Sequence, residues 1–249
     1  MIVSPNAKIN LGLNVLCKRV DGYHELSSIF YPVKDLCDIL EILPSAEFSF
    51  SSSGIKIPGE GNICTKVFEM LKQDFEISNV NIHLHKQIPI GAGLGGGSAD
   101  GAFMLRAMNT LFDLQISIAQ LEKYALQLGA DCPFFIENTP KYVQGIGEKM
   151  SIVDLDFSTY ELKFIFPEFH ISTAEAYGGI TPQIPATNLL DLINQPIENW
   201  KITVKNDFEV STFLKYPHLE KMKEELYADG AIYASMSGSG SVLYGVFER

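Results

Sequence analysis

Apolar residues fall on alternate positions at Ala7, Ile9, Leu11, Leu13 and Val15, which predicts a strand and gathers Lys8, Asn10 and Asn14 on its opposite, polar face. The same period of two returns at Val80, Ile82, Leu84, Ile88 and Ile90, and again at Leu162, Phe164 and Phe166. Between these strands the period changes. Met104, Met108 and Leu111, widened by Leu105 and Phe112, predict a helix over about residues 98–112. Helices are also predicted over 63–75 and over 118–128, the latter opened by a capping box at Ser117-Ile118-Ala119-Gln120 and ended by Gly129 at its C′ position. Asp21-Gly22 reads as a turn, 29–31 and 38–43 as strands of a meander, and 49–54 as a polar hairpin region. Residues 142–148 read as strand and turn, closing a first domain near 150. Further on, Ser172-Thr173-Ala174-Glu175 reads as a capping box for a short helix, followed by helices over 189–194 and 218–227 and strands over 232–235 and 242–247. This mixture predicts an α+β chain of two domains, 1–150 and 151–249.

The junction between the second strand and the helix that follows it is Pro89-Ile90-Gly91-Ala92-Gly93-Leu94-Gly95-Gly96-Gly97-Ser98-Ala99. Glycines without Cβ atoms let backbone N–H groups approach an anion, and the unpaired amides and dipole of a helix start favour negative charge, so the loop reads as a phosphate cradle. Gly91, Gly93 and Gly96 fit G-x-G-x-x-G, but another helix follows where the dinucleotide fold needs its second strand. The P-loop needs a lysine after its last glycine, and here Gly97 precedes Ser98 and Ala99. What remains is a different glycine loop opening a helix near Ser98, whose hydroxyl is placed to cap the helix, touch a phosphate or reach a magnesium ion.

Composition narrows the partners. The chain has 249 residues, 46% hydrophobic and 20% charged, and a formal net charge of −11, which opposes nucleic acid and anionic membrane as partners, so an anion must be held locally. The N-terminus has no signal-peptide pattern and no apolar run is long enough to span a bilayer, so a cytoplasmic protein is expected. Cys17, Cys37, Cys64 and Cys132 form no C-x-x-C pair and read as reduced, mostly buried thiols. His83 and His85 share a strand face, and without a third ligand they read as solvent-facing residues rather than a metal pair.

Three segments together carry a family resemblance: Pro5-Asn6-Ala7-Lys8-Ile9-Asn10-Leu11, the glycine loop, and Ser237-Gly238-Ser239-Gly240. With them the chain resembles the GHMP kinases, the galactokinase, homoserine, mevalonate and phosphomevalonate kinase group. Asp21-Gly22-Tyr23-His24-Glu25-Leu26 and Leu128-Gly129-Ala130-Asp131-Cys132-Pro133-Phe134-Phe135 narrow it to a branch whose acceptor carries a cytidine diphosphate group. The resemblance implies an N-terminal domain like the second domain of ribosomal protein S5, with the ATP loop and catalytic residues, and a ferredoxin-like C-terminal domain completing the substrate cleft. It implies ATP-dependent phosphorylation of an alcohol, with magnesium accompanying ATP, by a monomer or weak homodimer. Members usually continue past the last strand into a further helix, whereas this sequence stops at Phe247-Glu248-Arg249, a difference expected to touch stability and self-association more than chemistry.

Carried over by position, the resemblance makes Asp131 the catalytic base, Lys8 its partner, and Pro89 to Ala99 the ATP phosphate site, with Ser98 the residue nearest to a metal role. Asn10, Tyr23, His24 and Lys86 fall around the cytidine diphosphate acceptor, Tyr177 matches a second aromatic that with Tyr23 sandwiches the cytosine, and Thr173 lies beside it. Without the resemblance, Asp131 before Pro133 reads as a helix N-cap, Lys86 as a solvated lysine at a strand end, and core packing is the alternative for the two tyrosines, whereas Lys8, beside Asn10 on the polar face of an apolar strand, reads less readily as a plain surface charge. A nucleotide-binding regulatory module without turnover is the competing reading, which needs no base.

Overall fold

The computed structural model describes residues 1–59 and 61–249. Ile2–Val3 (β1) is followed by the long strands Asn6–Lys18 (β2) and His24–Cys37 (β3), joined by a turn in which Gly22 has φ +89°. Then come Ile39–Pro44 (β4), Ser49–Gly54 (β5), Ile63–Asp74 (α1), Val80–Lys86 (β6), Gly96–Leu111 (α2), Ile118–Leu128 (α3) and Phe134–Glu137 (α4). The rest comprises Lys141–Gly145 (β7), Lys149–Ile152 (β8), Tyr160–Ile165 (β9), Thr173–Gly178 (α5), Leu189–Ile193 (α6), Trp200–Thr203 (α7), Phe208–Lys215 (α8), Pro217–Ala228 (α9), Tyr233–Met236 (β10) and Leu243–Glu248 (β11). Strands and helices mix throughout, an α+β architecture. Among the described residues no helix is long and apolar enough to cross a membrane.

The sheets have orders β1-β4-β6-β5, β2-β3-β7-β8 and β10-β11-β9. The chain divides into two compact units that interleave along it: Met1–Lys8, Pro32–Ile90 and Gly95–Thr139 form unit 1, and Ile9–Tyr31, Gly91–Leu94 and Pro140–Arg249 form unit 2. In unit 1, Leu40, Ile42, Ile82 and Leu84 of the sheet and Val67, Leu71, Met104, Leu105 and Met108 of the helices are buried. In unit 2, Leu13 and Val15 of β2 join Phe208, Leu219, Leu226, Met236, Leu243 and Phe247 in one apolar core.

Several expectations are revised. Ser49–Gly54 is an edge strand rather than a hairpin, paired in parallel with β6, with Ser52 opposite Leu84. The serine hydroxyls compensate for weak strand propensity by bonding the histidines: Ser51 Oγ lies 2.9 Å from His83 Nδ1, and Ser53 Oγ lies 2.9 Å from both His83 Nε2 and His85 Nδ1. Helix α2 starts at Gly96, two residues before Ser98, with Gly95 as its N-cap at φ +69° and no side-chain cap bond, so Ser98 is not the cap. Gly129 ends α3 with φ 167°, extended backbone open to any residue, rather than as a left-handed C′ glycine. The Ser117–Gln120 capping box is complete, whereas at α5 only Ser172 bonds Glu175 N, because the Glu175 carboxylate accepts from Lys215 Nζ at 2.6 Å and Tyr216 Oη at 2.7 Å. Helix α8, which no pattern announced, packs on α5 and α9.

Candidate active site

In unit 1, Lys8 and Asp131 pair near the start of α2. Lys8 lies on β2, where Ala7 and Ile9 fix its neighbours in the core; the face expected to be polar is itself buried, with Lys8 3% exposed. Its Nζ stands 3.6 Å from Asp131 Oδ2, whose side chain is 34% exposed. Asp131 is held in the tight path from α3 to α4 by Cys132, Phe134 and Phe135, all fully buried, and by the Cys132 N–H donating to Gly129 O at 3.2 Å. It is not an N-cap: Pro133 occupies that position of α4, with no side-chain cap bond. Burial pulls the Lys8 ammonium below its ordinary pKa, and the neighbouring Asp131 charge opposes that fall. Such a pair can take a proton from a hydroxyl at the exposed carboxylate and offset negative charge at the buried ammonium.

The Lys8 stem runs under Gly95, where a Cβ would come within 3.0 Å of Lys8 Cγ and 3.1 Å of Phe135 Cζ. Gly97 is exposed, with no atom within 4 Å of where its Cβ would stand, so open space adjoins the first turn of α2, whose leading amides have no partner from a preceding helical turn. The residues present therefore fit a phosphate group. Ala99 and Leu94 are buried and anchor the turn, while Pro89 is partly exposed and Ile90 is 39% exposed. The half-buried Ser98 hydroxyl lies beside the Cys132 thiol, which burial pushes up to about 11 while the Ser98 hydroxyl acts the other way. Among the described residues no group of three His, Cys, Asp or Glu side chains could hold a metal, His83 and His85 included.

Lys86 is not a surface lysine, nor is its ammonium open to a substrate diphosphate. It is 3% exposed and donates to Asp38 Oδ2 and, at 2.7 Å, to Asp100 Oδ2. Neither carboxylate was singled out from the sequence; the available signal was Asp100 standing on the apolar side of a helix.

Unit 2 holds the other half of the loop. At Gly93, φ +80°, a Cβ would stand 1.9 Å from Ser237 O, and Ser237 Oγ donates to Gly93 O at 2.8 Å. Gly91 lies against His170, whose Cε1 would be 2.4 Å from an added Cβ, and Ala92 is buried. Asn10, 2% exposed, donates to Ser28 Oγ at 2.8 Å while its backbone carbonyl accepts from Tyr244 Oη at 2.7 Å. Tyr23 is 62% exposed. The ring stacked on Tyr177 is His24, with centroids 4.8 Å apart at 25°, and Phe208 meets Tyr177 edge-on at 4.8 Å. Thr173, exposed, lies one helical turn before Tyr177 on α5. His170 and Ser237 are further loop neighbours that no residue-level signal had placed there.

The family profile described as GHMP kinases N terminal domain matches residues 62–138, and that described as GHMP kinases C terminal matches 185–249. A protein of Azobacteroides pseudotrichonymphae genomovar. CFP2 named 4-diphosphocytidyl-2-C-methyl-D-erythritol kinase is 48% identical over 252 residues, covering 100% of this chain and 94% of its own. One of the same name from Parabacteroides distasonis is 49% identical over 251 residues, covering 100% and 92%. A crystal structure of 4-(cytidine 5'-diphospho)-2C-methyl-D-erythritol kinase superposes with a TM-score of 0.83 at 30% identity, covering 99% of this chain and 90% of that one.

Proposed function

The chain belongs to the GHMP kinase family, and on that premise we propose that it transfers the γ-phosphoryl group of ATP to the 2-hydroxyl of 4-diphosphocytidyl-2-C-methyl-D-erythritol, in non-mevalonate isoprenoid precursor synthesis. The observation that carries this reading is the Lys8–Asp131 pair at 3.6 Å beside the glycine-capped start of α2. Phosphoryl transfer to an alcohol needs a charge-neutralising cradle, an oriented hydroxyl and a proton acceptor. The α2 amides and the loop from Pro89 to Ala99 are the cradle. Asp131 accepts the hydroxyl proton late in the transfer, since a carboxylate is too weak a base to ionise a free alcohol beforehand. Lys8, whose own ammonium is buried, steadies the developing alkoxide.

Magnesium, when bound with ATP, neutralises phosphate charge; Ser98 is the hydroxyl at the loop best suited to meet it. For the acceptor, unit 2 offers flat rings, and stacking of a pyrimidine on an aromatic is worth about 1–3 kcal/mol. The exposed Tyr23 supplies one such surface and Tyr177, braced by Phe208, the second once the His24 ring now stacked on it turns aside to read the base edge. Asn10 and Thr173 complete the acceptor contacts. The same reading takes the protein as cytoplasmic, monomeric or weakly dimeric, and without a nucleic-acid partner, the last supported by its net charge of −11.

Release of ADP with magnesium-ATP tests it directly, using the cytidine acceptor, homoserine and mevalonate in parallel, with Asp131→Asn as control. Turnover on the cytidine acceptor alone, lost in the variant, is the expected result. ATP binding without turnover on any acceptor would favour a regulatory nucleotide-binding module instead.

A further inference from the structure

Beneath the start of α2 lies a buried ion cluster that phosphoryl transfer as described leaves without a role. The side chains of Lys86, Asp38 and Asp100 are 3%, 0% and 3% exposed. Asp38 sits between β3 and β4 and uses both oxygens: Oδ2 accepts from Lys86 Nζ, while Oδ1 accepts from the backbone of Gln87 at 2.6 Å and Ile88 at 2.9 Å, the two residues that lead from β6 into the glycine loop. On the other side, Lys86 Nζ reaches Asp100 Oδ2, in the second turn of α2, and passes so close beneath Gly96 that an added Cβ would lie 3.1 Å from it. Asp100 Oδ1 is buried with no hydrogen-bond partner. One ammonium thus serves two carboxylates, with one carboxylate oxygen left unsatisfied.

We propose that Lys86, Asp38 and Asp100 are positioning residues for the nucleotide: they tie the chain leaving β6 to the first turns of α2, and so fix where the helix amides stand and how much negative charge lies under them. The proposal rests on the glycine loop binding ATP phosphates, as the proposed function requires, and it replaces the expected contact of Lys86 with the acceptor diphosphate. The charged and titratable groups facing Asp100 are Lys86 from β6, Asp38 from the β3–β4 link, and Cys64 of α1, whose Sγ lies 3.9 Å from Asp100 O. Burial, reinforced by Asp38 and opposed by Lys86, lifts the Asp100 carboxyl to about 7. Its ionised form opposes an anion at the helix start, so ATP affinity falls as pH rises through neutrality. By linkage, phosphate binding favours the protonated form to the same extent.

The test is steady-state kinetics of the full chain between pH 6 and pH 8.5. In the wild type the KM for ATP is expected to rise several-fold across this range, while in Asp100→Asn, which keeps an acceptor for Lys86 without the charge, the rise is flattened. Lys86→Met is expected to raise the ATP KM at least tenfold more than the KM for the cytidine acceptor. An Asp100→Asn profile that follows the wild type, or a Lys86→Met variant impaired for the acceptor alone, overturns the proposal; if Lys86→Met does not fold, the Asp100→Asn profile decides. Calorimetric binding of ADP separates the two readings. ADP affinity with this pH dependence but no turnover of the cytidine acceptor retires the proposed function and leaves the cluster's role standing, and absence of ADP binding retires both.

Discussion

At 4% and 34% side-chain exposure, Lys8 and Asp131 are unequal partners: protein encloses the ammonium, while the carboxylate meets solvent, as the proposed role of Asp131 requires. Asp131→Asn is expected to lower kcat by about 10²–10⁴-fold, the usual span of a general base, while changing ADP affinity only a few-fold in calorimetry. Because burial lowers the Lys8 pKa, its proton is lost at lower pH than from a solvated lysine, so the alkaline fall of kcat should lie below 10.5. Asp100 supplies a stability prediction. Its folded-state pKa of about 7 lies above the unfolded value near 4, so the stability it contributes is complete below that unfolded value and is lost as pH rises through about 7. Asp100→Asn is not subject to that loss, and its gain over the wild type in denaturant unfolding should be larger at pH 8.5 than at pH 5 by on the order of 2 kcal/mol. Lys8 drew attention because it stands with Asn10 on the polar face of a clean apolar alternation, but its burial did not show in that pattern. Lys86 was misread because its two carboxylates lie 48 and 14 positions away in the chain, and only tertiary pairing reveals them.

Helix α3 is the element whose local signals agree most fully, and the Ser117–Gln120 box is its start signal. Ser117→Ala should cost about 1 kcal/mol, seen as a lower unfolding midpoint in denaturant. The glycine loop is less forgiving. Gly93→Ala would set a Cβ 1.9 Å from the backbone carbonyl of Ser237, at a left-handed φ, and neither partner is a side chain that can turn away. A loss of more than about 2 kcal/mol is expected, with ATP turnover lost alongside it, measured by thermal unfolding and ADP release. Periodicity found β2, β6, β9 and α2 because their own apolar residues dictate them. It failed at β5, whose serines form a strand only with β6 and its histidines beside them, and at α8, a short helix held by α5 and α9 rather than by its own stripe. The start of α2 was displaced for a related reason, since glycine is a poor helix former and only the loop geometry commits Gly96 and Gly97 to the helix.

For the whole molecule, motif combinations carried the family, whereas the compact units were not legible, because they are assembled from segments that alternate along the chain. Unit 2 buries Leu13 and Val15 from its first segment among Phe208, Met236 and Leu243 from its last. A fragment comprising residues 140–249 should therefore lack native stability on its own, giving a broad, low-amplitude thermal transition and strong dye binding, in contrast to the full chain. The interleaving also imposes an order in time. As the polypeptide leaves the ribosome from its N-terminus, residues 9–31 emerge early, yet their partners in 140–249 are synthesised last. Unit 1 can complete itself once Thr139 is out, while the first strands of unit 2 must wait, apolar side chains uncovered, for the final segment. Docking of residues 9–31 onto the last-made segment is thus expected to be the late step of folding, which pulse-labelled hydrogen exchange would show as late protection of Leu13 and Val15.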